Sequence, residues 1–402
     1  MSFKQNKTGA FLAGLTFPIS SFVYALWHPD SKSFKLLFVM YFTFIGMAYC
    51  MGTLEHADIY RYSVVFYQAS LLKDVGFRDY FNSLAEANQV DYYSSFMVWF
   101  VSRFTSDYRI YFGILAMIMA LFFAANVEYV IKQIDHSRIN ILLIVVLAMI
   151  PSASLYIHRW WMAMQVFLFG LLPVLIEKKY FRLIWCFFAA FLVHFSFVYP
   201  LILVIIALLL PKTNLWIYYV LFLVSVFLES FNFDIVTPLF GSFLSEAVVN
   251  RTNSHLSAEL LEHNFFSQSS RLVMKIANAI ICFWILAKHG KYLYKNRVLR
   301  VLFVMSLLLG SFANLTSLTE WGWRYYDLSN MMFVVLYLEY MSDENCNAVI
   351  FKYVSPLYIY FILFQIYGLL NVIGPNQLLF GNWFTTWIIN DIDTVWGLTK
   401  SI

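Results

Sequence analysis

The chain has 402 residues, of which 61% are hydrophobic and only 12% charged, with a formal net charge of +4. A soluble domain carries about 25% charged residues, so this composition excludes a soluble fold and points to an integral membrane protein. The small positive charge lies mostly in short connections and gives no basis for nucleic-acid binding.

Apolar stretches of about 17–25 residues, the length of a membrane-crossing helix, recur along the whole chain and fit helices rather than a barrel. In order they lie near 9–27, 36–52, 109–131, 139–157, 160–176, 181–195, 197–211, 214–230, 272–287, 301–316, 326–341 and 350–371. The first has no small-residue cleavage site and reads as a retained helix rather than a signal peptide. Allowing for a re-entrant first stretch or a further crossing within 94–108, the count is about 11–13 transmembrane helices. Residues 1–402 form a single polytopic membrane domain, with no soluble domain, internal repeat or low-complexity linker.

Lysines and arginines orient these stretches. Lys32 and Lys35, Lys132 and Arg138, Lys178, Lys179 and Arg182, Lys212, and the run from Lys288 to Arg300 mark alternate connections as cytoplasmic. The other connections then face outward: two long ones, 53–108 and 231–271, and short turns around 158, 195 and 320. Lys4 and Lys7 favour a cytoplasmic N-terminus, against this register. In the first long loop, Val65, Phe66, Leu71, Leu72, Phe77, Tyr80 and Phe81 predict helices lying in the membrane interface. In the second, Ser254 caps a predicted helix running to His263. Aromatics make up 20% of the chain, a surplus that fits lipid-facing phenylalanine or sugar-stacking surfaces. Cys50, Cys186, Cys282 and Cys346 show no paired spacing and read as small buried residues, not as a disulfide or zinc framework.

A charge at the bilayer centre costs roughly 2.5–3.5 kcal/mol even on lenient scales. The ionisable residues at the ends of these stretches therefore need a reason, and they fall on the outer side: Asp58 and Arg61, His158 and Arg159, His194, Arg271 and Arg324. Helical spacing puts Asp58 and Arg61 on one face, and Asp58 and Tyr62 likewise. Asp58 is then either a general base for a hydroxyl nucleophile or half of an ion pair fastening a helix end. His158-Arg159-Trp160-Trp161 opens a span, its guanidinium suited to diphosphate oxygens or to lipid headgroups and its tryptophans reading as interfacial anchors. His194-Phe195-Ser196 forms a tight outer turn whose histidine is catalytic or packs. Glu320-Trp321-Gly322-Trp323-Arg324-Tyr325-Tyr326-Asp327 combines a guanidinium with indoles and phenols, which suits sugar and phosphate recognition or an aromatic belt. Arg271, with Lys275 one turn on, opens the span after the second long loop. Asp391-Ile392-Asp393 matches a nucleotide-sugar DxD pattern by only three tail residues. The sequence has no P-loop, GxGxxG, HExxH or metal-ligand spacing, so neither ATP-driven transport nor a metal site is expected.

The order of these motifs resembles one family. An acidic-aromatic segment (Asp58 to Tyr62) is followed by Asp91-Tyr92-Tyr93, an arginine opening a span (Arg159), a Lys-Lys loop, and His194-Phe195-Ser196. This order resembles the EpsG family of bacterial polysaccharide polymerases, relatives of the Wzy O-antigen and capsule polymerases. Motifs carry the resemblance over roughly residues 36–210, and hydropathy carries it elsewhere. The chain departs from the family's pattern in lacking a glycine directly before Asp58, and at His158 and the paired tryptophans.

The resemblance implies a multi-pass protein of the bacterial inner (cytoplasmic) membrane, an all-α glycosyltransferase C-type-like fold with interfacial helices in its outer loops. It implies transfer of a growing glycan from undecaprenyl diphosphate onto the terminal hydroxyl of a lipid-linked repeat unit at the periplasmic face, with no cofactor. Partners are then undecaprenyl-diphosphate-linked glycans, membrane lipid and a candidate chain-length regulator. Asp58 is the first choice of base and His194 the second, while Arg61, His158, Arg159, Arg271, Arg324 and Tyr325 bind substrate. Competing expectations are an O-antigen ligase or other lipid-linked transferase, an O-acyltransferase, and a polysaccharide flippase. A flippase would carry its charges in mid-span and show a two-fold repeat.

Overall fold

Backbone in an apolar medium must satisfy its own hydrogen bonds, and every regular element described in the computed structural model is helical. The structure describes residues 7–29, 31–48, 58–72, 75–86, 92–134, 140–152, 158–210, 213–228, 265–317, 324–344, 346, 349–373 and 381–387. The helix predicted from Ser254 to His263, the segment Glu320–Trp323 and the Asp391–Asp393 tail lie outside these residues. In chain order the α-helices are α1 (Lys7–Thr16), α2 (Pro18–Trp27), α3 (Phe34–Ala48), α4 (Asp58–Leu71), α5 (Phe77–Glu86), α6 (Tyr92–Ser102), α7 (Tyr108–Gln133) and α8 (Ile141–Met149). They continue as α9 (His158–Glu177), α10 (Leu183–Phe188), α11 (Val198–Leu209), α12 (Leu215–Phe227), α13 (Phe265–Lys295), α14 (Arg297–Leu315), α15 (Tyr325–Ser342) and α16 (Val349–Ile373).

Five of these helices contain segments long and apolar enough to cross a membrane: Tyr108–Gln133, His158–Glu177, Ser269–Lys295, Arg297–Leu315 and Val349–Leu370. Shorter apolar segments are Phe34–Ala48, Tyr180–Val193, Phe195–Leu209 and Leu215–Phe227. The chain is an all-α, multi-pass membrane protein. Side-chain caps mark several helix starts: Asp107 accepts from Arg109 N at 2.8 Å, Asn214 from Trp216 N at 3.1 Å, and Asn296 from Leu299 N at 3.2 Å. The expected single stretch at 9–27 is two helices, because Pro18 takes the first position of α2 after Phe17 leaves helical geometry (φ −136°, ψ 67°). The stretch at 181–195 divides as well, α10 passing into a π-helical turn, Ala189–Val193, in which His194 N bonds Ala189 O at 2.9 Å. The first long connection, 53–108, includes α4, α5 and α6, of which α4 docks on α7 by stacking Phe66 on Tyr111 (4.5 Å, 14°).

Helix α9 sits at the centre, packed against α7, α10 and α14. Trp160 and Trp161 are 1% and 0% exposed, so they are core residues and not the interfacial anchors their position suggested. The closest helix contact is α3 on α7. A Cβ at Gly46 would lie 2.5 Å from Ala116 Cβ and 2.8 Å from the Phe112 carbonyl oxygen, and one at Gly113 2.5 Å from Met47 Cγ. Small residues are what allow two backbones to approach this closely in a membrane. A buried polar contact joins three central helices: Asn126 Nδ2 donates to Gln165 O (2.9 Å) and Oε1 (3.0 Å), while Gln165 Nε2 meets Met331 Sδ at 3.6 Å. Asn126→Leu strands the Gln165 acceptors, so it is expected to destabilise the protein by about 1–3 kcal/mol, read as a lowered Tm in detergent. The described cysteines are free, Cys186 and Cys282 buried and Cys346 half-buried, and no group of metal ligands occurs among the described residues.

Candidate functional site

The start of α9 carries Arg159 towards α4. Arg159 Nε donates to Tyr62 Oη at 2.9 Å, and its guanidinium carbon lies 5.2 Å from the centre of the Tyr62 ring. One phenol thus holds the guanidinium by a hydrogen bond and by its π-face. His158 is buried, edge-on to Tyr62 (4.5 Å), Tyr111 (6.1 Å) and Phe112 (6.0 Å). Tyr62 and Phe66 are four residues apart on α4, so the stacking of Phe66 on Tyr111 fixes the helix rotation that presents Tyr62 to Arg159. Asp58 is the first residue of α4, one turn before Tyr62 in the same row, and its side chain lies outside the described residues. Arg61 is exposed on α4, with no hydrogen bond or ion pair among the described residues.

The π-turn delivers His194 in an extended conformation (φ −154°, ψ 112°). Its Nδ1 accepts from Ser196 N at 3.3 Å and lies 2.7 Å from Ser196 Oγ. A backbone N–H only donates, so Nδ1 bears the lone pair and the neutral ring carries its proton on Nε2. Trp160 is the hinge of the cluster, edge-on to His194 (5.7 Å, 90°) and to Tyr325 (4.9 Å, 81°). Tyr325, fully buried, closes the ring by donating its hydroxyl to Ser196 O at 2.7 Å.

Arg324 immediately precedes α15 without a side-chain capping bond, and Tyr325 and Tyr326 follow it into the core. Two cations of α13 approach Tyr326, Lys275 Nζ at 4.8 Å and the Arg271 guanidinium at 5.9 Å from the ring centre. Tyr326 is fixed in turn by its hydroxyl, which donates to Asn314 Oδ1 at 3.0 Å. The Asp327 carboxyl lies within electrostatic reach of Arg271 and Arg324. Two guanidinium groups thus share one carboxyl while Lys275 stands over the adjacent Tyr326 ring, a local surplus of basic side chains suited to an anion.

The sequence model of one family, described as the EpsG family, matches residues 10–378. The chain belongs to the EpsG family. EpsG proteins are Wzy-like polysaccharide polymerases, and the match extends from the motif-bearing half through α13 to α16. No curated protein and no solved structure matches the chain.

In this EpsG chain one run of contacts joins His194, Trp160, Tyr325 and Ser196, Arg159 and Arg324 stand next in sequence to its rings, and Arg271 meets the neighbouring Tyr326. His158 lies in the same region but is enclosed by rings, and Arg61 lies outside the run. Residues not singled out from sequence are Ser196, Tyr326 and Asp327, which orient or balance the charged groups, and Tyr111, which walls in His158. Ser196, Tyr326 and Asp327 stand inside visible motifs, but the contacts that give Ser196 and Tyr326 their places reach Tyr325 and Arg271 in distant helices. Tyr325→Phe removes the only hydroxyl donor described for the buried Ser196 carbonyl, so a loss of about 1–3 kcal/mol is expected, read as a lowered Tm in detergent.

Proposed function

We propose that this EpsG-family protein is a glycosyltransferase of the C type, with about 11–13 crossings, that polymerises lipid-linked repeat units at the periplasmic face of the bacterial inner membrane. The growing glycan is the donor, held on undecaprenyl diphosphate, and the terminal hydroxyl of a lipid-linked repeat unit is the acceptor. The hydroxyl oxygen attacks the anomeric carbon, the bond from that carbon to the diphosphate breaks, and its electron pair stays on the diphosphate. The hydroxyl proton passes to Asp58. The single observation that carries this reading is that α9 and α15 each carry at their start an arginine followed by a ring, Trp160 packing on Tyr325 at 4.9 Å beside His194, which sets Arg159 and Arg324 at neighbouring helix starts. The charge of a leaving diphosphate needs fixed donors where it develops.

The roles follow from the contacts. Arg159, positioned by Tyr62, and Arg324, at the start of α15, bind the diphosphate, with Arg271 in support. His194 serves as a donor through Nε2–H, since Nδ1 is already occupied by Ser196, which leaves Asp58 as the base. His158 acts through Tyr62 rather than on the substrate. Arg61 contributes to the entry of anionic substrate.

Purified protein supplied with its lipid-linked repeat unit tests the reading, products being resolved on a gel. A ladder of lengthening products is expected. Transfer to an acceptor other than a lipid-linked unit makes the protein a ligase. Movement of the intact lipid-linked unit across vesicles without new bonds makes it a flippase.

A further inference from the structure

The far end of α9 forms a second charged place, unconnected with the one described. A cleft of about 240 Å³ opens between the C-terminal halves of α7 and α9 and the start of the next segment, lined by Asn126, Glu128, Tyr129, Lys132, Phe169 and Arg182 among others. The chain reaches it through Lys178, whose φ of 61° turns the backbone sharply after α9. Most of the charges here are already matched. Lys132 pairs with Glu128 at 2.7 Å. Glu177 pairs with Lys179 and accepts from Tyr129 Oη (2.8 Å) and Gln133 Nε2 (3.2 Å).

Arg182 is not matched. Its guanidinium lies 4.9 Å from the Phe169 ring centre and 5.6 Å from that of Phe181. Its Nε is buried without a hydrogen-bond partner, and its side chain makes no hydrogen bond or ion pair among the described residues. A guanidinium has five donors in a planar fork that fits phosphate oxygens; here two ring faces hold the group while its buried Nε goes unmet. The rings themselves continue into an apolar outer face: Phe181 and Ile184 are 71% and 67% exposed, and Phe187, Phe188 and Phe191 carry the stripe along the same segment. A molecule that joins an anionic phosphate to a long apolar chain would meet both features.

We propose that this cleft binds the phosphodiester headgroup of an anionic glycerophospholipid, Arg182 forking the phosphate and the acyl chain lying along Phe181, Ile184 and Phe188. Lys132 and Lys179 flank the headgroup, and Tyr129 borders it. The site is separate from the polymerase reading and stands or falls without it.

Full-length protein in nanodiscs of phosphatidylcholine with added phosphatidylglycerol provides the test, with retained lipids counted by native mass spectrometry. Phosphatidylglycerol is expected to be retained by the wild type and to bind at least about tenfold more weakly to Arg182→Gln, the scale of one charge-assisted hydrogen bond lost. Arg182→Lys, which keeps the charge but loses the fork, is expected to fall between them. In the wild type, phosphatidylglycerol with a photoreactive acyl chain is expected to label peptides spanning residues 169–191. This arm decides the matter if Arg182→Gln does not fold. Equal retention by wild type and Arg182→Gln overturns the proposal, as does labelling confined to other segments. Displacement of the lipid by inorganic phosphate overturns it in favour of a free-anion site, and equal retention of phosphatidylcholine in favour of a nonselective lipid groove.

Discussion

Arg159→Ala is expected to abolish the polymer ladder, lowering the rate of glycosidic bond formation by about 10²–10³-fold, the usual cost of removing one preorganised donor from a site of developing charge. The geometry explains why so much should rest on one side chain. Arg159 is held by Tyr62 through both a 2.9 Å hydrogen bond and the ring face, so its orientation is set before substrate arrives. Arg159→Lys keeps the charge and loses the fork, so partial recovery is expected. Tyr62→Phe keeps the ring and loses the hydroxyl, so a smaller defect is expected, about tenfold, on the scale of one hydrogen bond to a charged group. Initial rates measured on the gel for these three variants, each shown to melt like the wild type, order the effects. A ladder of wild-type intensity from Arg159→Ala would remove the guanidinium from the mechanism.

Gly46→Val is expected to be the most damaging substitution away from the charged cluster. The obstruction at this position includes a carbonyl oxygen of α7, 2.8 Å from where a Cβ would stand, and backbone cannot rotate aside as a side chain does. Helices α3 and α7 must separate along their contact, forfeiting packing by more than the about 1–3 kcal/mol typical of overpacked cores. Gly290→Ala is the matched control, since the nearest atom, Leu286 Cδ1, is 3.8 Å away. It is expected to leave Tm within a few degrees of the wild type, whereas Gly46→Val is expected to elute as aggregate or to melt far lower in detergent. The damage should reach activity too, because Phe112 and Tyr111, beside the obstructed backbone, wall in His158.

The parts of the fold that could be read directly were those decided locally. Apolar run length located α3, α7, α9 and the helices from α11 to α16, since hydropathy and helix length are properties of contiguous residues. The charged residues Arg159, Arg271 and Arg324 stood out for a similar reason, a charge among apolar neighbours being costly wherever the chain goes. Rotation and pairing were not local. Asp58 shares a helical face with both Arg61 and Tyr62, and nothing within the segment chooses between them. The helix rotation that turns Tyr62 to Arg159 is set by Phe66 stacking on Tyr111 in another helix. The Arg159–Tyr62 bond spans 97 residues of sequence and the Tyr325–Ser196 bond 129, so neither left a pattern in a window. Trp160 and Trp161 looked interfacial because they open a span, but that helix is central, and an opening residue of a central helix can be wholly enclosed.

The π-turn at Ala189–Val193 has a consequence for how this segment meets its two surroundings. Successive residues of an α-helix are set about 100° apart, so an unbroken α-helix from Leu183 would lock the azimuth of His194 to that of Phe187 and Phe191, which face outward. The wider turn accommodates one residue more and so resets the phase between them. Deleting a residue within 189–193 would restore regular winding and swing the imidazole away from Trp160, whereas exchanging the outward phenylalanines for other bulky apolar residues would leave its heading untouched.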